Sequence, residues 1–303
     1  MKHLYLGGYG PDILATDRTL TPLAAAPVAS ASFLAAHPTL PVLYAVGETG
    51  KGTLVALTAD LEVRAERPSE GDSPCHLAVH PSGEVLAVAN YMDGVVSLHH
   101  LGADGLFTGD PIVLRHEGSG PVESRQEGPH AHQAVWDGDT LLVSDLGTDE
   151  IRRYTRDGEA LDPVRLAPGM GPRHFVRHGD RWFVAGELDN RVHVYDAGWT
   201  EIDSVYASFA DSYPSHIEAA DGLVYVGNRG PDTITVMSAD TLERIAEVPS
   251  GGAWPRHFAI DGDRMLVANQ NSGGVAVLPL THGIPDEVVQ VFPMESPACV
   301  LIG

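Results

Sequence analysis

Three arginines, one glutamate and several histidines occupy corresponding places of a recurring pattern in this 303-residue chain. Arg173, Arg229 and Arg256 supply guanidiniums that can hold carboxylate or phosphate oxygens in pairs of hydrogen bonds. Glu187 supplies a carboxylate. His132 supplies an imidazole suited to moving a proton near neutral pH. His130 stands two residues before it, and on a strand such residues share a face. Together the set suits acyl or proton transfer on a small anion. The His130–His132 pair could also hold a metal, but no third His, Asp or Glu stands at a diagnostic spacing, so neither metal nor cofactor is expected.

These residues lie in a repeated unit: a Pro, an optional Arg, a His, a short apolar run, a Gly/Asp turn and a second apolar run ending in a polar residue. Its clearest copy is GPRHFVRHGDRWFVAGELD, residues 171–189. Others begin at Pro74, Pro129, Tyr213 and Trp254. His132 to His174 is 42 residues, His174 to His216 is 42, and His216 to His257 is 41. Extended both ways, the count gives seven equivalent positions: Leu34, His76, His132, His174, His216, His257 and Cys299. The interval from His76 to His132 is 56, so about 14 residues are inserted there, namely RHEGSGPVESRQEG at 115–128.

A repeat of this size built from short strands is one blade of a β-propeller. The last copy stops after one strand, and the N-terminal segments KHLYLGGYG and DILATD supply what it lacks. Such closure removes the exposed edges that would otherwise template aggregation. The expected fold is therefore all-β: a seven-bladed β-propeller of four-stranded blades, one domain over residues 1–303, closed by N-terminal strands joining the C-terminal one.

That topology sets the start of each blade's first strand beside the end of its second, seven times around one funnel. It predicts Arg173 near Glu187, His132 near Asp145, His216 near Asn228 and Arg229, and Arg256 near Asn269 and Gln270. His132, Arg173, Glu187 and Arg229 are the candidate catalytic residues. His130, His174, His216, Asn228, Arg256 and His257, with Arg125 and Gln126 from the inserted loop, are the candidate substrate-binding residues. Each has a structural alternative. The repeated histidines can serve blade structure, Arg173 with Glu187 can be a partly buried salt bridge, and Asp145 and Asp189 read as turn residues. His37, His80 and His178 fall at turns after first strands and read as surface residues of the opposite face.

A formal net charge of −22 argues against a nucleic-acid partner, which needs a basic footprint. No apolar run is long enough for a membrane helix, and no signal-peptide pattern opens the chain. Two cysteines in non-adjacent blades, Cys75 and Cys299, point to a reducing, cytoplasmic setting. Oligomeric state is left open by the sequence.

The chain resembles the seven-bladed lactonase family, which includes the propeller-type 6-phosphogluconolactonases and the carboxymuconate-lactonizing enzymes. The likeness covers all seven repeats. It is carried by HEGSGPVESRQEGPHAH at 116–132, GPRHFVRHGDRWFVAGELDNRVHVYD at 171–196 and YVGNRGPDTITVM at 225–237. The resemblance implies catalytic roles for the matching His132, Arg173, Glu187 and Arg229. One departure is Gly186 before Glu187, where the family often has Asn. The expected activity is hydrolysis of a sugar-acid lactone, with a small anionic substrate and general-base activation of water. The alternatives are cycloisomerisation of an unsaturated dicarboxylate and a propeller that only binds.

Overall fold

The structure is a computed structural model that describes residues 3–303. All regular structure among those residues is strand. The strands form seven consecutive antiparallel sheets, one per sequence repeat. Six have four strands, and in the seventh the two-residue strand Ile284–Pro285 comes before the outermost one. One sheet combines Pro297–Ile302 with Leu4–Gly8, Ile13–Thr16 and Pro22–Ala26. The fold is the expected seven-bladed β-propeller.

The chain divides into two compact units, residues 3–168 with 301–303 and residues 169–300. In the first unit the C-terminus is tied to the N-terminal strand by the Gly303 N–H, which donates to the His3 carbonyl at 2.9 Å.

Position within a sheet decides burial. Second strands such as VLYAVG (42–47) and VLAVAN (85–90) are buried throughout, because both faces pack on neighbouring sheets. Tyr44, Val46, Leu77 and Val88 form one such layer in the first unit. Phe183, Val194, Ile217 and Val226 form another in the second. Each fully buried side chain of this size contributes about 1.5–3 kcal/mol relative to exposure. Outermost strands such as VRAERP (63–68) are charged and half exposed, which discourages edge pairing. The turns between first and second strands place Gly138 (φ +61°), Gly179 (φ +60°) and Gly262 (φ +67°) in left-handed backbone that favours glycine.

The strand register revises the sequence count. Pro74 pairs with Asn90, Ala131 with Asp145, Pro172 with Gly186, Pro214 with Asn228 and Pro255 with Asn269. A bulge follows at each start. On this frame His132 falls in the place of Arg173 and Arg256, while Gln133 takes the place of His174. In the first blade Phe33, not Leu34, matches His76. The inserted loop ahead of His132 concealed the shift, because the period could only be counted from one histidine to the next.

His37 and His80, expected at the surface, are buried. His37 Nε2 meets the Gly83 carbonyl at 3.1 Å, and His80 packs edge-on against Trp136 at 4.8 Å. Each turn is covered by the sheet that follows it.

Candidate active site

In the second unit, Arg173, Glu187 and Arg229 come together. Arg173 sits in the bulge that opens Pro172–His178. Glu187 follows the last residue of Arg181–Gly186, and Arg229 ends Leu223–Arg229. Arg173 Nε lies 3.1 Å and Arg229 Nη2 2.5 Å from the same oxygen, Glu187 Oε2. Backbone carbonyls fix both arginines: Arg173 Nη1 donates to Ser215 at 2.8 Å, and Arg229 Nε to Tyr213 at 3.0 Å. The Arg229 guanidinium also lies over the Trp254 ring, 5.3 Å from its centre. Glu187 is held by its backbone, whose N–H donates to Gly171 at 2.9 Å. All three side chains are buried, with Arg173 only 2% exposed. Such burial strengthens charge–charge interactions and fixes the groups before any ligand arrives.

The polar residue closing each second strand proves to be two positions with different duties. The first holds Asn90, Asp145, Asn228 and Asn269, all buried at or near 0% exposure, and these side chains lock the sheets. Asn228, a sequence candidate for binding, donates to Thr235 Oγ1 at 2.9 Å and to Thr233 Oγ1 at 3.1 Å. Asn269 accepts from Ser250 Oγ at 2.9 Å and Asn90 from Ser69 Oγ at 2.7 Å. The second position holds Tyr91, Glu187, Arg229 and Gln270, the residues that could do chemistry. Arg256 reaches Gln270 Oε1 at 3.5 Å.

His174, His216 and His257 pack as a row in the second unit. His174 Nδ1 and His216 Nδ1 are 2.8 Å apart, and the His216 and His257 rings stack at 4.0 Å. Burial, then the charge of Arg173, pushes His216 down to about 3. Burial also holds His257 well below the ordinary value, helped by His216 and Arg173. Both imidazoles are therefore neutral.

The first unit assembles a different cluster around Tyr91. His130 stacks on the Tyr91 ring at 4.5 Å and its Nδ1 meets the Tyr91 carbonyl at 2.8 Å. His132 meets the same ring edge-on at 5.5 Å, and Arg125 Nη2 donates to the Tyr91 hydroxyl at 3.3 Å. Sequence reasoning passed over Tyr91, although it stands one residue past Asn90, as Arg229 stands one past Asn228. Gln126 is sealed in the fold at 0% exposure. Its amide donates to Leu146 O and Asp149 Oδ1, each at 2.8 Å, and accepts from the Val122 N–H at 3.0 Å. Asp145 takes His116 Nδ1 at 2.6 Å and the backbone N–H groups of His130, Gly147 and Thr148. The inserted loop is thus pinned at His116 and Gln126. A surface cavity of about 670 Å³ in this unit, bordered by Lys51, Arg67, Glu70 and Asp93, contains none of these residues.

Residues 13–302 match the family described as Lactonase, 7-bladed beta-propeller. The chain belongs to that family. It is 30% identical over 286 residues to a 6-phosphogluconolactonase of Formosa agariphila, covering 82% of this chain and 81% of that one. Identity to the 6-phosphogluconolactonase of Bacillus subtilis is also 30% over 286 residues, covering 85% and 82%. Among solved structures, the periplasmic gluconolactonase of Pseudomonas aeruginosa superposes with a TM-score of 0.87 at 22% identity, over 99% and 98% of the two chains. At that identity the likeness concerns the fold. No helix of the described residues is long and apolar enough to cross a membrane, and no group of three His, Cys, Asp or Glu among them could hold a metal.

Proposed function

We propose that this enzyme hydrolyses a sugar-acid lactone of the 6-phosphogluconolactone type. The observation that carries the reading is the convergence of two guanidiniums on one buried carboxylate. Lactone hydrolysis asks for a base near the attacking water and fixed donors where the carbonyl oxygen becomes an oxyanion. Glu187 takes the water proton, and Arg173 and Arg229 hold the oxyanion. Arg256, in the same unit, is assigned to the substrate's phosphate or carboxylate. Cys75 and Cys299 are both buried and not joined in a disulfide, and a reducing, cytoplasmic setting is part of this proposal.

A pH-stat screen over phosphorylated, carboxylated and neutral sugar lactones tests the reading. Acid release is expected with a phosphorylated or carboxylated lactone. Wild-type turnover by both Arg173→Ala and Glu187→Ala on that substrate overturns the assignment. Mass analysis of products separates hydrolysis, which adds water, from cycloisomerisation, which conserves substrate mass.

A further inference from the structure

Glu218 lies two residues past His216 on the strand Tyr213–Ala220, and the mechanism above does not use it. Its Oε1 is 3.4 Å from His216 Nε2. The other nitrogen of that ring, Nδ1, is 2.8 Å from His174 Nδ1. The two imidazole planes stand nearly perpendicular, at 87°, with ring centres 5.1 Å apart. His216 cannot easily swing away, because His257 stacks on it at 4.0 Å and Phe258 meets it edge-on at 4.9 Å. Glu218 side-chain exposure is 31%, whereas His174 is 3% exposed. A continuous chain of groups therefore runs from a carboxylate touched by solvent to an enclosed imidazole next in sequence to Arg173.

We propose that His174, His216 and Glu218 form a proton relay, which accepts a proton at His174 Nε2 and delivers one to the Glu218 carboxylate. The inference rests on the hydrolytic reading, since hydrolysis of a lactone near neutral pH yields a carboxylate and one proton to be removed. In the receiving state Glu218 is ionised, His216 donates its Nε2–H to Glu218, and His174 donates its Nδ1–H to His216. A proton arrives at His174 Nε2. His174 passes its Nδ1 proton to His216 Nδ1, and His216 passes its Nε2 proton to Glu218. Three N–H or O–H bonds form, two N–H bonds break, and one proton is gained. Both rings end neutral in the opposite tautomer, and Glu218 returns its proton to water. Transient opening of the rings, with each losing one N–H proton to water and regaining the other from it, restores the receiving tautomers.

The surroundings suit neutral tautomers. His216 faces Arg173 and His174 from one neighbouring strand and His257 from the other, and the positive guanidinium disfavours an imidazolium there. Glu218 is faced by His216 on its own strand, by the Ile260 N–H, and by Tyr225 of the adjacent strand, whose phenol it helps to raise. Although part of the Glu218 side chain is exposed, burial pushes its carboxyl up to about 7, partly offset by the Ile260 N–H. A terminal acceptor with that value can both take and release a proton near neutrality.

Nitrogen-15 NMR of the histidine rings in the full-length protein tests the relay without any substrate, from about pH 5 to 9 around ordinary imidazole ionisation. His174 and His216 are expected to exchange tautomers together, with a midpoint near 7. In Glu218→Gln both should keep one tautomer throughout. Should that variant fail to fold, the wild-type titration decides alone: fixed tautomers for both rings overturn the relay. In the activity assay Glu218→Gln is expected to lose about tenfold in kcat, with little change in KM, and to lose the limb near 7 from its pH profile. An unchanged kcat and profile also overturns it. If the wild-type protein hydrolyses no lactone, the functional reading fails, while the tautomer measurement still reports on the chain itself.

Discussion

In the bulge of each first strand the first unit places Ser32, Cys75 and His132, and the second places Arg173, Ser215 and Arg256. One residue beyond the sheet-locking position the contrast continues, with Glu48, Tyr91 and Leu146 against Glu187, Arg229 and Gln270. One repeat thus delivers two kinds of chemistry. The second unit is built from guanidiniums around a carboxylate. The first is built from imidazoles on a tyrosine and a loop pinned by Asp145. The neighbouring position is structural: Asn90, Asn228 and Asn269 satisfy backbone and hydroxyl groups that the sheets bury, and Gly47 and Gly186 stand there in two other blades.

Substitutions that separate the two clusters sharpen this contrast. The largest effect is expected in the second unit. Arg173→Ala and Arg229→Ala should each lower kcat/KM on the screened lactone by about 10²–10³-fold, the loss typical of an oxyanion donor. Thermal unfolding alongside the kinetics separates that loss from misfolding. Next comes Asp145→Ala in the first unit, which removes the acceptor of His116 and of three backbone N–H groups. Its expected cost is about 3 kcal/mol of stability, measured by denaturant unfolding. Wild-type stability should follow the same group. The hydrogen bonds and the charge of His116 hold the Asp145 carboxyl below its ordinary 3.8 despite burial. Its contribution is therefore full above that value and is lost as pH falls through the lower folded one.

A smaller effect of opposite sign is expected at His193, which sits between Asp189 Oδ2 at 2.7 Å and Glu201 Oε1 at 2.8 Å. Burial lowers this imidazole, but the hydrogen bonds and charges of the two carboxylates outweigh it and raise it above 6.5. Its stabilisation is full below 6.5 and is lost as pH rises through the folded value. His193→Gln should therefore flatten the alkaline side of the stability profile and leave the acid side alone. Equal flattening of both sides would show that the two networks are not separate.

The blades were legible because each repeat carries its own punctuation: a Pro at entry, Gly–Asp turns and an apolar run closed by a polar residue. Arg173, Glu187 and Arg229 were legible for the same reason, since antiparallel pairing brings a first strand's start to a second strand's end. The one-residue place of His132 was not, because a bulge and an inserted loop both add residues that a period cannot distinguish. Asn228 and Gln126 were read for polarity alone, and only coordinates show their amides spent inside the fold. Glu218 escaped notice because IEAADG reads as strand running into turn, although its spacing from His216 puts both on one strand face.

The account depends most on Glu187 as the carboxylate that two arginines hold ready. Steady-state kinetics of Glu187→Gln on the best lactone from the pH-stat screen measures this directly. The expected result is a fall in kcat of about 10²–10⁴-fold in a folded protein, the range for loss of a general base. A folded Glu187→Gln protein with wild-type kcat would contradict it.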